Sequence, residues 1–118
     1  MVLIGRSHDV SPRHYHDGEK VLHVEKRVLV GPKEEAPGFS MRKFTVGTCG
    51  CSPFHTHDWE HEVYVLAGKG EVRFAGGSQA VEPGDFVFVP PNVEHQFVNA
   101  GDGVFEFLCM VPLRGEDG

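Results

Sequence analysis

Closely spaced glycines and prolines cut this chain into short apolar runs, and that punctuation constrains the fold more than any other feature. Gly31-Pro32, Gly68-Lys69-Gly70, Gly76-Gly77, Pro83-Gly84-Asp85, Pro90-Pro91-Asn92 and Gly101-Asp102-Gly103 offer the fixed or positive φ that chain reversals require. The runs between them are rich in Val, Phe, Leu and Tyr and carry no sustained helical period. They predict strands at residues 23–30, 39–46, 62–67, 71–75, 78–81, 86–89, 95–99 and 104–111. About eight strands in 118 residues predict an all-β domain, either a closed barrel or a two-sheet jelly roll. Residues 13–19 and 32–38 are polar or proline-bearing and read as loops, as does Cys49-Gly50-Cys51.

At 118 residues and 40% hydrophobic, the chain is expected to form one domain with a real core. The formal charge is −6, and the basic residues form no block beyond pairs such as Lys26-Arg27 and Arg42-Lys43. Nucleic acid is therefore not an expected partner. No apolar run approaches the roughly 20 residues of a membrane helix. The opening Met1-Val2-Leu3-Ile4-Gly5-Arg6 lacks the basic and long apolar regions of a signal peptide, so no membrane partner and a cytoplasmic location are expected. Three cysteines, Cys49, Cys51 and Cys109, are too few and odd in number for a disulfide-stapled fold and are expected to be reduced.

Chemistry concentrates in His55-Thr56-His57-Asp58-Trp59-Glu60-His61-Glu62 and in the distant His95. Side chains two apart on a strand share a face, so His55 and His57 can hold one ion together. His61 or Glu62 can supply a third ligand after a turn at Asp58-Trp59, and His95 must be brought in by folding. Alternation does not choose between His61 and Glu62: the first shares its face with Val63 and Val65, the second with Tyr64 and Leu66. Imidazole suits zinc, copper, iron and nickel alike. His14 and His16 repeat the spacing without a partner and read as solvated, as does His23.

These residues resemble the two signature motifs of the cupin superfamily. Gly84, Pro90, Asn92, His95 and Asn99 follow the second motif, G-x5-P-x-G-x2-H-x3-N, with Asn92 in place of a glycine. Asparagine tolerates the left-handed conformation best among non-glycine residues, so the turn is expected to survive. The first motif, G-x5-H-x-H-x3,4-E-x6-G, is met more loosely, since Gly50 and Gly68 each lie one residue too close. The usual family pattern implies His55, His57, Glu62 and His95 as ligands. Trp59-Glu60-His61-Glu62 with the closing Glu106-Phe107-Leu108-Cys109 is instead similar to small single-domain cupins that hold manganese through four histidines. That resemblance implies metal ligands His55, His57, His61 and His95. It also implies a cupin-type jelly-roll barrel with an N-terminal arm at about 1–38 and a metal-binding core at about 39–112.

Four neutral imidazoles would leave a divalent ion its full charge, and an octahedral ion would keep two positions for substrate or dioxygen. One divalent transition metal per chain is expected, manganese first and iron next, with zinc or nickel able to occupy the site. Phe97 shares a face with His95, and Phe105 and Phe107 share one with Cys109, so an apolar pocket for a small oxygen-bearing molecule is expected. Only Arg42 and Arg73 stand where an arginine could enter it. Glu60 and Glu62 are candidates to orient a ligand histidine, and Cys109 to be a core residue or a redox-sensitive neighbour of the ion. The reading is a metal-dependent oxidoreductase of dioxygenase or oxygenase type. Its alternatives are a non-catalytic metal or ligand sensor and a sugar isomerase or lyase. Val21, His23 and Glu25 suggest a strand edge through which a homodimer forms.

Overall fold

The computed structural model describes residues 2–116 as one curled antiparallel sheet. Its strands are β1 (Arg13–Tyr15), β2 (Leu22–Val30), β3 (Phe39–Cys51), β4 (His61–Ala67), β5 (Gly70–Phe74), β6 (Gly77–Val81), β7 (Phe86–Val89), β8 (His95–Asn99) and β9 (Phe105–Pro112). The order β6-β5-β8-β3-β9-β4-β7, with β2 on β3 and β1 on β2, is that of a jelly-roll barrel. Helical structure among the described residues is confined to short 3-10 turns, including Leu113–Gly115. No helix among these residues is long and apolar enough to cross a membrane.

Two segments expected to be loops are strands. Arg13–Tyr15 pairs with Lys26, Glu25 and Val24 of β2, a contact set by tertiary pairing that local composition does not reveal. Cys49, Gly50 and Cys51 end β3 at the point where that strand changes partner. Phe39 to Val46 pair with β9, whereas Cys51 pairs with Val98 of β8. The bend between them puts Cys49 at φ 64. Gly50 is pressed so close to the Leu22 carbonyl that a Cβ would lie 2.6 Å from it. Asn99, at the end of the second motif, clamps this corner. Its amide donates to the carbonyls of Val46, Gly47 and Gly103, and its Oδ1 accepts from the Gly101 N–H.

The pleat sorts the sheet into two faces. Inward lie Val63, Val65, Val72, Val89, Phe97, Phe105 and Phe107, with Phe107 at 4.8 Å from Phe97 and 5.2 Å from Phe105 between ring centroids. Outward lie Tyr64 and Leu66 of β4 and Phe86 and Phe88 of β7, all exposed. Within the segment read as an arm, β2 runs along β3 from Leu22 to Val30 and contributes Val24 to the core.

Candidate metal centre

His55 and His95 are joined by a backbone bridge in which each N–H donates to the other's carbonyl, at 3.1 and 3.0 Å. The ladder itself thus carries the distant histidine to the first pair. Asn92 helps close the turn before β8: it is left-handed at φ 66, and its N–H donates to the His57 carbonyl at 2.6 Å. The substitution of the motif glycine therefore keeps its backbone geometry.

Ligand atoms of His55, His57 and His95 all lie within 4.8 Å of one another, so small side-chain adjustments would bring all three to one ion at bonds of about 2.1 Å. His61 is buried at the start of β4, with its ring centroid 4.8 Å from His95 and 5.3 Å from His57. The Nε2 atoms of His57 and His61 are buried without a hydrogen-bond partner. A buried polar atom left unpaired is costly, and two of them in one histidine cluster suit residues that would hold a cation. The donors suit such an ion because burial keeps them neutral. Desolvation, with repulsion from neighbouring histidines, pushes His55 down to about 4 and His61 to about 3. Burial also lowers His57 and His95.

Orientation comes from around the cluster. His95 Nδ1 lies 2.9 Å from the Val93 carbonyl, which can only accept, so Nδ1 carries the proton and Nε2 the lone pair. His57 is stacked on Trp59 at 4.5 Å and 6°, and Arg114 covers Trp59 while pairing with Asp58. His61 Nδ1 meets the Cys109 thiol at 3.3 Å. Neither Glu60 nor Glu62 takes the orienting role considered for them at His61 or His95. Glu62 instead faces away from His61 across the pleat, and burial together with Glu60 raises its carboxyl to about 7.

A cavity of about 210 Å³ opens beside the histidines, and Phe44, Phe97 and Phe107 line it. Its wall is less apolar than expected. Lys26 and Arg42 also line it, exposed by only 3% and 1%. Strand alternation held the signal for both: Lys26 lies between Val24 and Val28 on one face of β2, and Arg42 shares its face of β3 with Phe44 and Val46. Arg73, the other arginine considered, is exposed and pairs with Glu71. Burial raises the Cys109 thiol, with Arg42 pulling the other way. Cys109 is thus a core residue that also touches a histidine. His14 and His16 do not join the cluster; His16 instead packs on His23 at 4.5 Å.

A sheet of this order with histidines gathered at one end of the barrel defines a cupin, and a family model described as Cupin domain matches residues 43–111. The chain belongs to that family. It is 38% identical over 71 residues to 1-methylthio-D-xylulose 5-phosphate methylsulfurylase of Rhodospirillum rubrum, covering 60% of this chain and 46% of that protein. It is 31% identical over 112 residues to glucose-6-phosphate isomerase of Thermococcus litoralis, covering 81% and 57%. The chain thus spans about half the length of these two relatives. Among solved structures, the polyketide cyclase RemF from Streptomyces resistomycificus superposes with a TM-score of 0.86 at 29% identity, covering 96% of this chain and 80% of that one.

Proposed function

We propose that His55, His57, His61 and His95 together bind one divalent transition ion, and that the protein is a metal-dependent enzyme acting on a small organic molecule in the adjoining cavity. The observation that carries this reading is a cavity walled by phenylalanines at which ligand atoms of His55, His57 and His95 lie within 4.8 Å of one another, with the buried His61 ring 4.8 Å from that of His95. When bound, the ion supplies a Lewis acid for a carbonyl or enol oxygen and, if it is manganese or iron, a redox centre. The chain's own residues position and exclude. Val93 and Cys109 hold the His95 and His61 rings, Trp59 braces His57, and the phenylalanine wall keeps water from the substrate's apolar body.

Oxygenase chemistry with manganese or iron is the reading the sequence favoured. Lewis-acid enolisation is supported by the similarity to a polyketide cyclase and to a sugar-phosphate isomerase. One experiment separates them. Protein loaded in turn with manganese, iron and zinc is incubated with a panel of β-diketones, phenolic enols and ketoses while dioxygen uptake and solvent-deuterium incorporation are followed. Uptake with manganese or iron and none with zinc marks an oxygenase; deuterium exchange that persists with zinc marks an enolising enzyme. Stoichiometric metal and tight ligand binding with neither signal would leave a binding module.

A further inference from the structure

The inner wall of the cavity holds a charge arrangement that the histidine site does not use. Lys26 donates through Nζ to the Glu116 carboxylate at 2.9 Å and to its carbonyl at 3.0 Å. Arg42 donates from Nε to the Cys109 carbonyl at 3.1 Å, and its NH1 lies 3.7 Å from the same Glu116 carboxylate. Ser40 Oγ donates to that carboxylate as well. Burial alone would raise the Glu116 carboxyl, but Ser40, Lys26 and Arg42 outweigh it and hold the group below the usual carboxylate range. Among the described residues, two buried cations therefore face a single anion. Glu116 approaches from the turn after β9 and is not among the residues lining the cavity, and no acidic side chain among the described residues lines it.

Such an excess of buried positive charge is costly unless something balances it. Arg42 has five N–H donors; among the described residues its NH1 reaches the Glu116 carbonyl at 3.5 Å and its NH2 meets only the Cys109 thiol, at 3.3 Å, and thiol sulfur is a weak acceptor. That same thiol lies 3.3 Å from His61 Nδ1, so one sulfur atom separates the guanidinium from the histidine cluster. Arg42 also stands over the Phe44 ring at 5.2 Å, which presents it beside the apolar wall.

We propose that Lys26 and Arg42 form an oxyanion subsite in the cavity wall, and that the ligand is an amphiphilic anion, its carboxylate or phosphate group on this pair and its apolar body against Phe44, Phe97 and Phe107. Glu116 balances one of the two charges from behind, and the ligand balances the other. This names the substrate class for the site proposed above and rests on that reading only for the position of the reacting oxygen. Of the two arginines considered from the sequence, Arg42 takes this place, and Lys26 joins it.

The test is an NMR titration of the full chain, before and after chelation of metal, with butyrate, inorganic phosphate and the neutral isostere butyramide. The Arg42 Nε–H and the Phe44 and Phe107 amides are followed. Saturable shifts are expected with an anion and not with butyramide; a response to butyrate alone assigns a carboxylate, and to phosphate alone a phosphate. Glu116→Gln, which removes the competing negative charge, is expected to tighten anion binding about tenfold, and Lys26→Gln to weaken it about tenfold, as suits a charged hydrogen bond. Equal responses to anion and amide, or weakening by both substitutions, would overturn the subsite. If either variant does not fold, the comparison of anion with amide on the unaltered chain still decides. Shifts that persist in chelated protein, in a chain that takes up no metal, would uphold the subsite and sink the metal reading. Intact metal uptake without anion shifts would do the reverse.

Discussion

The two faces of β4 are built from adjacent residues and do opposite things. His61 points into the barrel, where burial and other imidazoles drive it toward neutrality near 3, while Glu62 points out beside Glu60 and holds its proton up to about 7. Both neighbours alternate with apolar residues, so hydrophobicity along the strand carries no preference. What separates them lies across the sheet. His61 is opposite Val89 on the face that also carries Val63, Cys109 and Phe107, whereas Glu62 sits between Phe88 and Met110 on the face that leaves Tyr64, Leu66, Phe86 and Phe88 to solvent. The side of a sheet that closes on itself, not the polarity of a residue, decides which groups can share an ion.

The largest contrast between the faces is expected in stability. Phe105 is fully buried and its ring lies where a Cβ on Gly70 would be, 2.2 Å away. Phe105→Ala is therefore expected to cost about 3–5 kcal/mol in urea unfolding, while Phe39→Ala, at a residue 58% exposed, stays within about 0.5 kcal/mol. Equal losses would erase the distinction.

Metal binding comes next. His61→Ala is expected to lower affinity by more than the roughly 10- to 100-fold that loss of an orienting partner costs, and Glu62→Ala to leave it unchanged, both read by competition with a chromophoric chelator. The opposite pattern would return the third ligand to Glu62. The homodimer is proposed to use the outer face of β4 and β7, because β1 already covers Val24 to Lys26 of β2. Phe86 and Phe88 on a terminal strand give the apolar centre that an interface of roughly 800 Å² per partner needs. Light scattering should then give a dimer for the natural chain and a monomer for Phe86→Ser; a monomeric natural chain would refute it.

The smallest effect is in pH dependence, measured on metal-free protein. His61 binds fewer protons folded than unfolded, so its contribution is present above its ordinary value of 6.5 and is lost as pH falls toward about 3. Glu62 binds more protons folded than unfolded, so its contribution is present below 4.5 and is lost as pH rises through about 7. Melting temperature should thus decline at both ends, and Glu62→Gln should flatten only the upper limb. An unchanged upper limb would show that Glu62 titrates like a free carboxylate.

Eight of the nine strands, most of their limits and the histidine cluster were legible because they rest on local signals: turn residues, period-2 runs and the i, i+2 spacing of His55 and His57. Asn92 was readable for the same reason, since its backbone preference is its own. The short strand Arg13–Tyr15 was not, because its stability comes from pairing with β2. Nor was the corner at Cys49, where the change of partner from β9 to β8 is a property of the closed sheet. Arg42 was one of two arginines the sequence offered to the pocket, but Lys26 was hidden differently. Charged residues on alternating strands ordinarily mark the solvent side, and only the distant Glu116 makes an inward orientation tenable.

The bridge between His55 and His95 has a consequence for how the protein and its ion come together. Hydrogen bonds of the fold bring the two ligand-bearing segments into register, so the entropy of assembling the site is met before any cation arrives. The apoprotein should accordingly fold unaided, unlike zinc fingers, whose order depends on the metal. The ion would then act as a guest that raises the melting temperature in step with its free concentration, and one guest could be exchanged for another without dismantling the socket.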